Sequence, residues 1–296
     1  MEGNSPSVFI IAGMPRCGTT FLYHNLQKHP SVFCPFRKET NYFSVNHHRG
    51  IEWYRDLYRD IRPGQIGADV SPSYFLHGQT IARIIRFNPD TKIVLGIRDP
   101  AEWSLSFYNQ LLTHMWRGHP PFAEFIYKYS YPVSGQTIPM ELSKRFVTKT
   151  IEQYRQVFGH NVLLYDFAFF QRSPLGVLRA IEHFLDLPHY YTESNFDHGV
   201  INSGNRRNIG FITYIVSRDS FASAVTKLVP RKFIQSMRYR FDKLSKDRDG
   251  VNKTVYTPEN ICLAQETFAE EGEWVQTLFS KGTVQLGSGQ LLHVPT

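Results

Sequence analysis

The sequence of 296 residues has few cysteines and no long apolar run, and both absences exclude classes of protein. Its three cysteines, Cys17, Cys34 and Cys262, form neither a CxxC pair nor a Cys/His pattern with metal-ligand spacing. We therefore expect a reduced, cytoplasmic protein that needs no disulfide and no metal to fold. No stretch approaches the roughly 18 apolar residues of a membrane span, and the apolar run at 8–12 is too short for a signal peptide.

Charge is the one unbalanced feature of the composition. Apolar residues make up 42% and charged residues 20%, as in ordinary globular proteins, which excludes a disordered or collagen-like chain. Lys and Arg number 33 against 26 Asp and Glu, a formal charge of +7. This excess favours an anionic partner such as a nucleotide, a phosphorylated or sulfated ligand, a nucleic acid or an acidic membrane, although a solvated basic surface has the same charge. No nucleic-acid-binding motif is present, so we expect no nucleic-acid partner.

The alternation of strand and helix patterns predicts an α/β fold. Three short apolar runs are typical of buried strands: residues 8–12, 92–97 and 161–167. Each precedes a helical pattern: residues 18–29, a segment from Pro100, and about 174–186. Fully apolar strands joined by helices indicate a central, mostly parallel sheet with helices on both faces. Because there is no internal repeat or Gly/Ser linker, we expect residues 1–296 to form a single domain.

Two segments depart from this alternation. Residues 110–150 are rich in aromatics and prolines, and such an insertion either covers an acceptor site or forms a peripheral loop. Residues 224–248 carry apolar side chains at helical spacing with Lys and Arg between them. This pattern is typical of a helix packed on its own domain or in weak contact with a membrane surface.

The C-terminal part is predicted to be helical from about residue 209. Its last clear helix begins at Thr257-Pro258, since Thr suits an N-cap and Pro suits the first helical position. One apolar face then runs along this helix: Ile261, Ala264, Phe268, Val275 and Leu278. The tail from about 283 is predicted to be irregular.

The sharpest signal is the strand–loop–helix pattern at 8–26. Gly13 and Gly18 bracket the loop, and two threonines open the helix. Backbone N–H groups of such a loop and the positive end of the helix point at an anion. Arg16 adds a charge with bidentate geometry. The loop is not a Walker loop, because the Lys-Ser/Thr pair is missing and the glycine spacing differs.

Two further segments bring chemistry-bearing residues to the same region. Arg98 follows the strand at 92–97, and Ser106 lies about two turns into the next helix. Because ligands of α/β sheets bind at the carboxyl ends of strands, we expect Arg98 to face an anion held by the first loop. Within 35–58, Glu39 lies among cationic and aromatic residues. A carboxylate beside a phosphate loop is a candidate general base, although a surface Lys-Glu pair has the same pattern.

Five stretches follow one another in the order of a known set of motifs: PRCGTTFL, KETNYFSVNHHRGIEWYRDLY, DVSPSYF, RDPAEWSLSFY and NVLLYDFAFFQRSPLGVLRAIEHFLDLP. Over about residues 8–190 the sequence resembles the sulfotransferase superfamily, and within it the heparan-sulfate-type carbohydrate sulfotransferases. The stretches are similar to the family's 5′-phosphosulfate loop, its KE-x-x-FF and G-[IL]-[ED]-WY segments, its EKSPxYF and RxPxxRxxSxY motifs, and its closing strand and helix.

The resemblance implies a P-loop-like sulfotransferase fold. It also implies transfer of a sulfuryl group from 3′-phosphoadenosine 5′-phosphosulfate (PAPS), with 3′-phosphoadenosine 5′-phosphate (PAP) as product and no metal. The acceptor would be a hydroxyl or amine of a carbohydrate or another small molecule. Oligomeric state does not follow from the resemblance.

Matched positions receive roles from the resemblance. Arg16, where the family usually has Lys, would hold the 5′ phosphosulfate and stabilise the leaving phosphate, and Glu39 would be the general base. The other donor-binding positions are Cys17, Gly18, Thr19 and Thr20 around the 5′ group, Arg98 and Ser106 at the 3′ phosphate, and Arg206 and Arg207 in a third loop at 202–210. A plain basic loop explains the last pair equally well. A histidine is an alternative base, and four lie in nearby segments: His24, His47, His48 and His114.

Three departures from the motifs concern the acceptor side more than the donor side. Val70 stands where the family has a substrate-side Lys, Asp69 replaces a Glu, and Trp103 replaces the second Arg of RxPxxR. Three other functions stay open. They are a P-loop kinase or NTPase, against which the missing Lys-Ser/Thr pair argues, an anion-binding module, and a non-catalytic sulfotransferase relative.

Overall fold

The computed structural model describes residues 7–114, 120–127, 129–133, 136–140, 145–197 and 255–292. The predictions for Arg206, Arg207 and the basic helix at 224–248 lie outside the described residues, as does the start of the helical C-terminal part at about 209.

A six-stranded sheet is the centre of the described structure. Its strands lie in the order β2 (Val32–Phe33), β3 (Ile66–Val70), β1 (Val8–Ile11), β4 (Ile93–Ile97), β7 (Val162–Asp166) and β8 (Val284–Leu286). β1 pairs in parallel with β3 and β4, and β4 pairs in parallel with β7, whereas β8 runs antiparallel to β7. The predicted mostly parallel sheet, with strands at the three apolar runs, is confirmed.

Helices connect the strands and cover both faces of the sheet. They are α1 (Thr19–Leu26), α2 (Ile51–Asp56), α3 (Thr80–Phe87), α4 (Pro100–His114), α5 (Phe122–Phe125), α6 (Phe146–Phe158), α7 (Phe167–Arg172), α8 (Pro174–Phe184), α9 (Pro258–Thr267) and α10 (Ala269–Phe279). In β1, Val8 and Ile10 belong to one buried cluster while Phe9 and Ile11 belong to another. Both faces of this strand are therefore covered, which explains its continuous apolar run.

Within the described ranges, no helix is long and apolar enough to cross a membrane. The same ranges contain no group of three His, Cys, Asp or Glu side chains that could hold a metal ion.

Residues 110–150 contain more regular structure than their composition suggests. α4 continues to His114, and a two-stranded antiparallel hairpin, β5 (Tyr129–Val133) and β6 (Gln136–Met140), follows the short helix α5. That this segment covers an acceptor site stays a prediction.

Two expectations for the C-terminal part are wrong. Thr257 caps α9 as predicted, its hydroxyl accepting from the Asn260 N–H at 3.2 Å. The single helix expected from there is instead two, α9 and α10, because the backbone leaves the helical conformation at buried Phe268 (φ −109°, ψ 17°). The tail expected to be irregular contains β8, whose three residues are too few to show a period in the sequence.

Candidate active site

The loop between β1 and α1 follows a path that depends on its glycines. Gly18 precedes α1 with φ 81°, and a Cβ there would lie 2.5 Å from Cζ of Phe170. A Cβ on Gly13 would overlap the backbone nitrogen of Gly96. Between these glycines, Arg16 has φ 68°, a left-handed conformation that costs energy for a non-glycine residue. Contacts from neighbouring elements must therefore hold the loop.

Two buried aromatic donors supply such contacts. The Tyr165 hydroxyl donates to the carbonyl oxygen of Cys17 at 2.5 Å, and the Trp103 indole N–H donates to that of Pro15 at 3.0 Å. Both side chains are fully buried, where a phenol or an indole requires a partner. Trp103 thus supports the loop from the core at a position where the family motif has an arginine.

The N-terminus of α1 is suited to an anion. Gly18 brings no side-chain oxygen to accept from the N–H groups of the first turn, and the helix dipole adds positive potential there. Thr19 is buried and Thr20 is half-buried. The thiol of Cys17 is fully buried, so Cys17 can serve an anion only through its backbone N–H.

Two guanidinium groups act on this loop from different elements. Burial raises the pKa of the Cys17 thiol to about 12, and the positive charges of Arg98 and Arg16 oppose that rise. Arg98 follows β4, whereas Arg16 lies in the loop itself. The fold thus brings the two arginines named from the sequence close to one cysteine.

Arg16 and Ser106 meet directly, since Nε of Arg16 donates to Oγ of Ser106 at 3.4 Å. Ser106 lies on α4, which follows Arg98. Cζ of Arg98 lies 5.0 Å from the centroid of the Phe167 ring, and its Nε and Nη2 donate to Oε2 of exposed Glu102 at 3.3 and 3.2 Å. The β1–α1 and β4–α4 connections therefore converge at the carboxyl ends of adjacent parallel strands, where α/β sheets bind ligands.

Glu39 lies at the same edge of the sheet. Its backbone N–H donates to the carbonyl oxygen of Val70 at 3.1 Å, and Val70 pairs with Ile11, the last residue of β1. The Glu39 side chain is 41% exposed, so a bound acceptor can reach it, and Nζ of Lys38 lies 2.6 Å from its Oε1. Val70 is buried, so the position of the family's substrate-side lysine carries an apolar side chain directed into the core.

The four histidines considered as alternative bases differ in their surroundings. His24 is buried in α1, His47 and His48 are exposed, and His114 ends α4. Desolvation and two nearby guanidinium groups lower the pKa of His47, which keeps its imidazole neutral near pH 7. His47 therefore has the protonation state that a general base requires.

In the sequence, Asp69 and Trp103 are visible only as departures from the motifs. The hydrogen bonds by which they hold neighbouring segments are not. Asp69 is fully buried, and its carboxylate accepts from Thr40 Oγ1 at 2.8 Å. Burial raises the pKa of Asp69, and hydrogen bonds from four hydroxyl groups oppose that rise. Both residues lie inside the motifs, and this position was the one signal in the sequence. Their role became visible only in the structure, because a buried polar group must have a partner and the structure shows which one.

Comparison with known proteins agrees with this geometry. The family model described as "Sulfotransferase domain" matches residues 6–200. The chain belongs to the sulfotransferase family. The match includes the β1–α1 loop, Glu39, Arg98, Ser106 and β7, so the resemblance inferred from the motifs is confirmed.

The curated relatives are longer than this chain. Mouse heparan sulfate glucosamine 3-O-sulfotransferase 3B1 is 30% identical over 190 residues, which are 63% of this chain and 48% of the mouse protein. The chain spans about half the length of the curated relatives it matches.

Two solved structures share the fold. A sulfotransferase from Alicyclobacillus acidocaldarius has a TM-score of 0.52 and 21% identity, covering 76% of this chain and 94% of that chain. Mouse sulfotransferase SULT7A1, solved as a complex with PAP, has a TM-score of 0.50 and 14% identity, covering 94% and 90%. The predicted α/β sulfotransferase fold is thus confirmed.

Proposed function

We propose that this chain transfers a sulfuryl group from PAPS to a hydroxyl or amine of a carbohydrate or another small-molecule acceptor and releases PAP. The observation that carries the proposal is the contact between Arg16 Nε and Ser106 Oγ at 3.4 Å. It joins the loop that resembles the family's 5′-phosphosulfate loop to the helix that resembles its 3′-phosphate motif. One ligand with phosphates at both ends would contact both.

The surrounding residues fit such a ligand. Arg16 and Arg98 both exert positive charge on the loop, and the first turn of α1 adds backbone donors. Guanidinium groups bind phosphates in bidentate geometry. Arg98 uses two of its five N–H donors on exposed Glu102, so it can bind a phosphate oxygen with the others, and Glu102 can return to water at little cost.

Sulfuryl transfer requires positioning and charge stabilisation more than covalent catalysis, by analogy with phosphoryl transfer. Arg16 neutralises the charge that develops on the leaving phosphate oxygen. Glu39 accepts the proton of the acceptor hydroxyl or amine, for which a distance of about 3 Å is needed. A histidine is the alternative base, and His47 has the neutral imidazole that this role requires.

The acceptor class is inferred from the relatives and from Val70. The mouse relative is named for the glucosamine of heparan sulfate, which makes a sugar hydroxyl or amine the leading acceptor. Buried Val70 removes a cation at the acceptor side, which supports a less anionic acceptor than a sulfated polysaccharide. The cytoplasmic location and the single domain expected from the sequence stay predictions.

Thermal unfolding with PAP, with ATP–Mg²⁺ and AMP as controls, tests the donor site. A ligand that binds only the folded state at 100 times its Kd adds about 2.7 kcal/mol, a shift of a few degrees. We expect a shift with PAP alone, its loss in Arg16→Ala, and its retention in Arg59→Ala, which alters an exposed arginine paired with Asp56. A shift with ATP–Mg²⁺ instead would favour a kinase, and no shift with any ligand would remove the donor site.

Transfer itself is tested by release of PAP from PAPS in the presence of candidate acceptors. We expect release with a desulfated heparan oligosaccharide, a simple phenol or an alkyl amine to exceed release with water alone. A chain that binds PAP but does not turn over any of these acceptors would be the non-catalytic relative.

A further inference from the structure

Asp69 collects four hydroxyl groups in a fully buried position at the end of β3. Its Oδ2 accepts from Thr40 Oγ1 at 2.8 Å, from the Tyr74 hydroxyl at 2.8 Å and from the Tyr54 hydroxyl at 3.2 Å, and its Oδ1 accepts from Ser71 Oγ at 2.6 Å. No catalytic or binding role assigned above uses this carboxylate.

Three of the four hydroxyls also bind the backbone that follows Glu39. The N–H groups of residues 41–43 donate to the hydroxyls of Ser71, Thr40 and Tyr74, in that order, at 3.2, 3.3 and 3.2 Å. A hydroxyl has one proton, so a hydroxyl that accepts from these N–H groups can donate its own proton to Asp69. An ionised carboxylate only accepts, and it therefore lets all three hydroxyls take the orientation that binds the backbone.

The segment held in this way is strained. Glu39 has φ 63° and Asn41 has φ 51°, although neither is a glycine. Such conformations persist only where the surrounding structure fixes them through several contacts. The Glu39 N–H donates to the carbonyl oxygen of Val70, and Ser44, Asn46 and Ser73 donate to Thr40 and Asn41. The hydroxyls that accept from the N–H groups of residues 41–43 all donate to Asp69.

We propose that Asp69 is a positioning residue for Glu39: its carboxylate orients the hydroxyls of Thr40, Ser71 and Tyr74, and these fix the turn that presents the Glu39 carboxylate to the acceptor. The inference rests on the proposed role of Glu39. Tyr54 shares the carboxylate without a hydrogen bond to the backbone of 41–43, which gives a matched comparison.

Tyr74→Phe and Tyr54→Phe form that comparison. Each tyrosine is 1% exposed, and each substitution removes one hydroxyl from Oδ2 of Asp69 while keeping the ring. We expect amide hydrogen exchange at 41–43, measured on the full chain, to accelerate about tenfold or more in Tyr74→Phe and Asp69→Asn. In Tyr54→Phe we expect a change of about twofold or less, because the backbone keeps its acceptors.

Turnover of PAPS should follow the same order. A misplaced catalytic group can cost about 100-fold in rate, so we expect kcat to fall by about that factor in Tyr74→Phe and Asp69→Asn. The KM for PAPS and the thermal shift with PAP should stay near those of the unmodified chain, since the β1–α1 loop is untouched.

Equal exchange rates in Tyr74→Phe and Tyr54→Phe would overturn the proposal, as would equal losses of kcat. The two tyrosine variants decide it even if Asp69→Asn does not fold. Failure of the proposed function has a different signature: the unmodified chain gives no shift with PAP, or Glu39→Gln retains full turnover, whatever the exchange rates at 41–43.

Discussion

Strain is concentrated at the residues proposed to act on the donor and the acceptor. Four non-glycine residues in the described part of the chain have positive φ, and Arg16, Glu39 and Asn41 are three of them. Each such conformation costs about 1–3 kcal/mol. All three lie near the carboxyl ends of β1 or β3. Buried Trp103 holds the loop that contains Arg16, and buried Asp69 holds the segment that contains Glu39 and Asn41. The fold therefore maintains two strained turns at one edge of its sheet, which supports a functional reason for both.

Glu39→Gln tests the general base by replacing one carboxylate oxygen with an amide nitrogen. The amide keeps the shape of the side chain and cannot take a proton, so we expect turnover to fall by about 10²- to 10⁴-fold. PAP binding, measured by thermal shift, should be unchanged. Glu52→Gln, which alters an exposed glutamate paired with Arg55, is the control and should keep full activity. Retained turnover in Glu39→Gln would remove Glu39 from the role of base and leave that role to a histidine.

Arg98→Ala tests which of the two phosphates of the donor Arg98 binds. Arg98 is assigned to the 3′ phosphate, so its removal should weaken PAP binding much more than binding of adenosine 5′-phosphosulfate, which lacks that group. A lost charge-assisted hydrogen bond corresponds to about 1.5–3 kcal/mol, roughly 10- to 150-fold in Kd. Isothermal titration with both nucleotides measures the difference, and an equal loss for both would contradict the assignment.

Among the elements, those with a strong local signal were predictable and those fixed by distant contacts were not. The strands at 8–12, 92–97 and 161–167 were predictable because strands covered on both faces are apolar throughout. β8 was not, because its three residues form a strand only by pairing with β7. The break at Phe268 was missed because the apolar period continues across it.

The candidate site also has a part that the sequence predicts and a part that it does not. Motif resemblance named Arg16, Ser106 and Glu39, and the structure brings the first two into contact. The bond from Thr40 to Asp69 and the bonds from the N–H groups of residues 41 and 43 to Ser71 and Tyr74 join positions about 30 apart, and no spacing rule in the sequence predicts such contacts. Tertiary structure alone shows which buried polar groups share a partner.

Packing between α10 and α6 gives the stability a dependence on pH. Glu271 on α10 accepts from the N–H of Thr148 in the first turn of α6 at 3.0 Å, and burial raises its pKa to about 7 from an ordinary 4.5. Between these values the unfolded chain loses the proton that the folded chain keeps. The free energy of unfolding therefore falls as the pH rises from about 4.5 to 7.

Glu271→Gln should remove this dependence, because the amide is neutral throughout. Relative to the unmodified chain, we expect the variant to gain up to about 3 kcal/mol between pH 4.5 and pH 8, from about 1.36 kcal/mol per pKa unit. Urea unfolding at a series of pH values measures the gain. Glu273→Gln, on the exposed side of the same helix, should run parallel to the unmodified chain. Parallel curves for both variants would show that Glu271 is ionised in the folded state.

On the scale of the whole molecule, the packed core extends beyond the segment that matches the family. The match ends at residue 200, yet β8 completes the sheet beside β7 and α9 packs on α4, the helix that carries Ser106. Apolar side chains from this C-terminal part are buried in both core clusters: Val255, Ala264, Phe268, Val275 and Val284. Residues beyond the family match therefore pack against the elements that carry the site residues.

A chain ending at residue 254 should consequently fail to fold as a unit. Burying a Val or Phe side chain contributes about 1.5–3 kcal/mol, so losing four such side chains removes about 6–12 kcal/mol, comparable to the whole stability of a typical domain. We expect circular dichroism to show no cooperative thermal transition for this truncation. A chain ending at Leu292, which keeps β8, should retain the transition of the unmodified chain. Cooperative unfolding of the shorter chain within a few degrees of the unmodified one would show that residues 1–254 form an independent domain and that the C-terminal part is an addition to it.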